Sequence, residues 1–296
     1  MNNLRIAFFG GEPIGVPVLE ELEASGIVPN LIVCSPDKPV GRKQVMTAPP
    51  VKEWATQRSI PVFQPTSLKE NTGVGPLYKN DWDIFIVVAY NKILPKWLID
   101  IPKHGTLNVH PSLLPQLRGA SPIRSAILND LQETGVSVML LDEKMDHGPI
   151  IAQEPMHIED AQWPVRGREL DEGLARLGGA LLAATLPQWT RGDIAPQEQE
   201  HELATYCGKI TKADGELTID PHNLPTGDAA RQALLKIYAY DGWPGTFFFV
   251  ETPKGTKRIK IVDATLDTHG ALDIHRVVPE GKKEMDWETF LQTLAA

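Results

Sequence analysis

A chain of 296 residues with 42% hydrophobic content is long enough for two domains, each with its own core. The formal net charge of −9 argues against a protein that coats nucleic acid nonspecifically, while leaving room for local basic surfaces. Its two cysteines, Cys34 and Cys207, are far apart and form no CxxC pair, so neither a disulfide framework nor a structural zinc site is indicated. The apolar stretch Ile6–Phe9 is too short for a signal peptide and no run reaches the length of a membrane span, so a cytoplasmic protein is expected.

In chain order, Leu4–Phe9 reads as a buried parallel strand that meets a tight turn at Gly10-Gly11. Val16, Leu19 and Leu22 at helical spacing predict a helix over about Gly15–Ser25, stopped by Gly26. Leu31–Cys34 is a second strand, with Cys34 an inert buried thiol. Asp37–Pro50 is rich in Pro, Gly and Lys, shows no periodicity and reads as a loop. A short helix over Val51–Arg58 follows, then strands at Ile60–Phe63, Ile84–Ala89 and Gly105–Val109. This succession predicts an open, doubly wound, mostly parallel α/β sheet, which binds ligands beyond the carboxyl ends of its strands. After a helix near Pro122–Asn129, Val136–Asp142 and Ile150–Met156 read as a β-ribbon whose connection carries Asp146. Arg168–Trp189 is an amphipathic helix, and the polar, turn-rich Arg191–Glu200 a linker. A helix over about Thr226–Ala239 and short strands at Gly245–Glu251, Arg258–Thr265 and Ala271–Val278 suggest a small or partial β-barrel.

Chemistry concentrates in Asn108-Val109-His110-Pro111-Ser112-Leu113-Leu114-Pro115. Asn108 and His110 alternate at the end of an apolar strand, so both point to one face. An Asn amide offers N–H to a developing oxyanion, and His offers a proton donor or acceptor near neutral pH. Taken singly, either residue is as well explained as a turn or structural residue; their combination with Asp146 is not. The turn Gly10-Gly11-Glu12-Pro13-Ile14-Gly15 fits no nucleotide motif, because Glu12 replaces the required glycine and Val16-Pro17 replaces Lys-Ser/Thr. A metal site from His104, His110, Asp146 and His147 is the competing hydrolase reading, and a non-catalytic binding module the competing binding one.

Asn108-x-His110 with Ser112-Leu113-Leu114-Pro115, Arg118-Gly119 and Asp146 resembles the formyltransferase family that uses 10-formyltetrahydrofolate. Further matching segments include Pro36–Lys43, Pro49–Lys52, Pro61–Pro65, Val87–Tyr90, Glu133–Ser137, Thr205-Tyr206-x-x-Lys209 and Trp243-Pro244-Gly245. The resemblance implies Asn108, His110 and Asp146 as catalytic residues, with 10-formyltetrahydrofolate as co-substrate and no metal. It implies that Tyr90, Asn91 and the segment Ser112, Leu113, Leu114 and Pro115 line the folate site, with backbone groups of that segment holding the pterin. Asn91 stands where the family commonly has glycine, and asparagine tolerates a positive φ there. The likeness is greatest to the branch whose acceptor is methionyl-initiator tRNA, with sugar nucleotides as the alternative. Arg42, Lys43, Lys209, Lys254, Lys257 and Arg258 are then the candidate tRNA contacts. The organisation expected is a catalytic domain over 1–190, a linker over 191–205 and a shortened OB-like β-barrel domain over 206–296, acting as a monomer.

Overall fold

The computed structural model describes residues 4–41, 43–69, 75–78, 80–253 and 255–295. The chain begins with β1 (Ile6–Gly10), α1 (Gly15–Ala24), β2 (Leu31–Val33), β3 (Lys38–Val40), β4 (Val45–Thr47), α2 (Pro50–Gln57) and β5 (Val62–Phe63). It continues through α3 (Gly75–Tyr78), β6 (Ile84–Val88), α4 (Lys96–Ile99), β7 (Thr106–His110), β8 (Arg118–Gly119), α5 (Pro122–Leu128), β9 (Glu133–Leu140), β10 (Ile150–His157) and α6 (Gly167–Arg191). The last elements are β11 (Tyr206–Cys207), α7 (Gly227–Ala239), β12 (Thr246–Val250), β13 (Lys257–Leu266), β14 (Leu272–Pro279), β15 (Met285–Asp286) and α8 (Trp287–Ala295).

Two compact units result. The first comprises Met1–Gly119, Thr134–Met156 and Asp171–Tyr206, and the second Ala120–Glu133, His157–Leu170 and Cys207–Ala296. This division differs from a cut at 190 with a linker to 205. Residues 191–205 pack within the first unit: Gln197 exchanges backbone hydrogen bonds with Ile150 at 2.7 and 2.8 Å, and Gln199 is buried. Conversely, α5 belongs to the second unit, where it packs on α7, and Arg231 reaches Asp130 at 2.7 Å.

The first unit is built on a seven-stranded sheet of order β10-β9-β7-β6-β1-β2-β5. β5, β2, β1, β6 and β7 run parallel, and β9 joins β7 antiparallel, with His110 opposite Ser137. Every residue of β1 and β6 is buried, as continuous apolar runs covered on both faces require. Phe9 and Phe85 meet across the sheet with ring centroids 5.0 Å apart, and burying side chains of this size stabilises the fold by about 1.5–3 kcal/mol each. Burial also pushes the Cys34 thiol up to about 11, as an inert core cysteine requires.

The segment 37–50, expected as a structureless loop, contains the hairpin β3–β4, with Val40 opposite Val45. Its strands are three residues long and exposed throughout, so no alternation marks them in the sequence. The foot of the hairpin is pinned: Lys52 Nζ reaches both carboxylate oxygens of Asp37 at 2.8 Å, and Gln64 donates to Asp37 and to the Ser35 carbonyl. The Gln64 amide and then Lys52 hold the Asp37 carboxyl below its ordinary range.

In the second unit β12-β13-β14-β15 form an antiparallel sheet, open rather than closed into a barrel. Its inner face, with Phe248, Ile259, Ile261, Ile274 and Val277, packs against Leu234 and Ile237 of α7 and Trp287 and Phe290 of α8. The two helices cover the apolar face of this sheet. Among the described residues no helix is long and apolar enough to cross a membrane.

Candidate active site

β7 delivers Asn108 and His110 to the carboxyl-terminal edge of the parallel strands. Asn108 pairs with Val87 on one side and Met139 on the other, so its backbone is fixed by the sheet. Its side chain is half-buried, and among the described residues its amide has no hydrogen-bond partner. His110 is only 4% exposed. Its Nε2 lies 3.1 Å from the Leu117 carbonyl oxygen, which can only accept, so Nε2 carries the hydrogen. The other ring nitrogen, Nδ1, faces Asp146 Oδ1 at 3.6 Å, just beyond direct hydrogen-bond range.

Asp146 reaches this position from the β9–β10 connection. Its second oxygen, Oδ2, accepts from the Gly119 N–H at 2.7 Å, and its backbone is left-handed at φ 48°. Two residues on, Gly148 passes against the Leu140 carbonyl so closely that a Cβ would overlap it. The loop main chain is held by Gln199, whose Nε2 donates to the carbonyls of Asp146 at 3.0 Å and Gly148 at 2.7 Å. Gln199 in turn accepts from Arg118, a fully buried guanidinium that also donates to His201 Nδ1 at 2.8 Å. Arg118 and Gly119 stood in the sequence only as a matching dipeptide; Gln199 and His201 carried no signal at all.

The residues expected around folate divide into two sets. Ser112 and Leu114 are buried, and their main-chain groups are already engaged: Ser137 Oγ donates to the Ser112 carbonyl at 2.7 Å and accepts from the Leu114 N–H at 3.0 Å. Gln153 donates to the Leu114 carbonyl at 2.9 Å. Each of these carbonyls keeps one lone pair free, and Leu113 and Pro115, partly exposed, keep open surface. Tyr90 packs edge-on to Phe9 at 5.5 Å, and burial pushes its phenol up to about 12. Its hydroxyl is buried without a partner among the described residues. Asn91 is exposed and does not take the positive φ expected of it; Ala89 does, at 46°. Asn91 instead donates to Glu12 Oε1 at 2.7 Å, and its Oδ1 covers Gly11 so closely that a Cβ there would lie 2.9 Å away. Asn91, which departs from the family pattern, thus bonds to the turn that follows β1.

Of the basic candidates, Arg42 and Lys254 lie outside the described residues. Lys43 is exposed in the turn between β3 and β4, and Lys209 is exposed after β11. On β13, Arg258 and Lys260 project outward while Ile259 and Ile261 enter the core. Phe249 and Phe247 of β12 lie opposite them, and the Arg258 guanidinium sits 3.7 Å above the Phe247 ring. Lys257 is half-buried opposite Val250. His104 precedes β7 and His110 closes its far end, so the hydrolase set does not converge, and among the described residues no metal-binding cluster forms.

Residues 4–165 match the formyl transferase family model. Over 96% of its length the chain is 39% identical to a methionyl-tRNA formyltransferase of Herpetosiphon aurantiacus, covering 97% of that protein. The chain belongs to the formyl transferase family, among the methionyl-tRNA formyltransferases. A Bacillus licheniformis member is 34% identical, with 97% of this transferase and 94% of that protein aligned. The fold of this transferase is also that of a Shewanella sugar N-formyltransferase, with TM-score 0.63, 17% identity and coverage of 89% of this chain and 98% of that one. Aquifex aeolicus HypX, solved with tetrahydrofolic acid, gives TM-score 0.63 at 16% identity over 98% of this chain and 47% of that chain.

Proposed function

We propose that this transferase moves the formyl group of 10-formyltetrahydrofolate to the α-amine of methionyl-initiator tRNA, with Asn108, His110 and Asp146 as its catalytic residues. The carrying observation is the unengaged Asn108 amide on the same strand as His110, whose Nδ1 faces the Asp146 carboxylate 3.6 Å away. Attack of the amine nitrogen on the formyl carbon gives a tetrahedral oxyanion, to which Asn108 donates. With Nε2–H bound to Leu117, His110 turns a lone pair toward the Asp146 carboxylate, and this pair accepts the proton the amine loses. The same proton then goes to the departing folate nitrogen as its bond to the formyl carbon breaks. An α-amine titrates near pH 8, so deprotonation and positioning suffice and no nucleophilic side chain is required.

The partly exposed Leu113 and Pro115 and the Asn91–Glu12 bridge are the surfaces available to the folate. Lys43 and the exposed Arg258, Lys260 and Phe249 supply charge and stacking surface for RNA in an otherwise acidic chain. The test is formyl transfer measured with charged initiator tRNA and an amino-sugar nucleotide offered in parallel, each with 10-formyltetrahydrofolate. Turnover of the tRNA alone is expected. Turnover of the sugar nucleotide alone would overturn the acceptor, and full activity of an Asn108→Ala variant would overturn the site.

A further inference from the structure

Asp146 can face His110 only while its loop holds a left-handed backbone, and aspartate tolerates that conformation without imposing it. Among the described residues, the side chain that grips the loop main chain at both Asp146 and Gly148 is Gln199. A primary amide is two-faced: turned over, it would set its oxygen against the same two carbonyls. Arg118 removes that freedom. Its Nε and Nη2 are donors only, and both reach Gln199 Oε1, at 3.0 and 2.6 Å, so Nε2 must face the loop. Arg118 is itself oriented by His201 Nδ1, which serves as an acceptor only when unprotonated. His201 stacks on His147 at 4.0 Å, and His147 pairs with Asp142 at 2.7 Å.

We infer that Arg118 and Gln199 form an orientation lock, two positioning residues that hold the Asp146 carboxylate against His110 during formyl transfer without touching either substrate. The inference rests on the assignment of Asp146 above. A lock of this kind acts on the chemical step and not on binding, which separates it from a general packing role. Its side-chain route to the reaction runs through Gln199 to the Asp146 main chain.

The test uses the full chain with Gln199→Glu. That change keeps an acceptor for Arg118, so the buried guanidinium stays paired, but it removes both N–H donors to the loop. Turnover should fall by about tenfold to a hundredfold, as small misplacements of a catalytic group do, with KM for both substrates held within about twofold and cooperative unfolding retained. Arg118→Lys, which keeps the charge but cannot fork between Gln199 and His201, should lose about tenfold. In Asp146→Asn the lock has nothing left to position, so adding Gln199→Glu to it should cost nothing more. Full turnover in Asp146→Asn removes the assignment on which the inference rests. A large loss in Asp146→Asn with unchanged turnover in Gln199→Glu overturns the inference alone. Additive losses in the double variant, or a Gln199→Glu defect confined to KM or folding, overturn it too.

Discussion

Replacing Asn108 by alanine separates catalysis from stability unusually cleanly. The Asn108 backbone is bonded to β6 and β9 and is untouched by the change, and its amide has no partner among the described residues to lose. Stability should therefore shift by no more than about 1 kcal/mol, which for a protein of this size moves the thermal midpoint by about 2–4 °C. In the reaction the same amide acquires a partner, the oxyanion, and one such donor is worth about 2.7–4 kcal/mol. At 1.36 kcal/mol per tenfold, turnover should fall by about a hundredfold to a thousandfold. Single-turnover transfer to charged tRNA at saturating folate reads the chemical step directly. Loss of less than about fivefold, or a loss explained wholly by raised KM, would refute the oxyanion role.

Three other outcomes are expected. Gly148→Ala puts a Cβ into the Leu140 carbonyl, so the loop must move; stability should fall by about 1–3 kcal/mol and turnover with it, read by thermal unfolding and assay. Reversing Arg258 and Lys260 to Glu should weaken tRNA binding and flatten its log–log salt dependence by about 0.7–0.9 per lost phosphate contact, while KM for folate stays constant. His201 is held below its ordinary value of 6.5 by partial desolvation and then by its neighbours His147 and the Arg118 guanidinium. The unfolded chain therefore binds this proton more readily than the folded one, so the contribution is intact above about pH 6.5 and is lost as pH falls below it. Thermal midpoints taken from pH 7 to pH 5 should drop less in His201→Gln than in the parent chain.

The parallel strands were legible because β1 and β6 are buried on both faces and leave unbroken apolar runs. Asn108 and His110 were legible because strand alternation fixes their common face. The hairpin β3–β4 was not, since Val40, Val45 and Met46 are all exposed and three-residue strands have no period to show. α8 escaped notice although Trp287, Phe290, Leu291 and Leu294 follow helical spacing and pack into the second core. Asp37, Lys52 and Gln64, conspicuous as pieces of motif, prove to be one clamp at the hairpin foot. The partnership of Gln199 with Arg118 was invisible for a different reason. It spans 81 positions, and no local pattern records a contact made only after the sheet has assembled.

Because the first unit takes its last piece from Asp171–Tyr206, while the second already claims Ala120–Glu133 and His157–Leu170, neither is a contiguous stretch of chain. During synthesis the active-site loop can be gripped only after Gln199 has left the ribosome, and by then two segments of the second unit have been waiting for partners not yet made. Folding of both units is thus entangled with the order of translation, through contacts of long sequence separation. A fragment cut at residue 190 would emerge with every reacting side chain present and the Gln199 grip on the Asp146 loop missing.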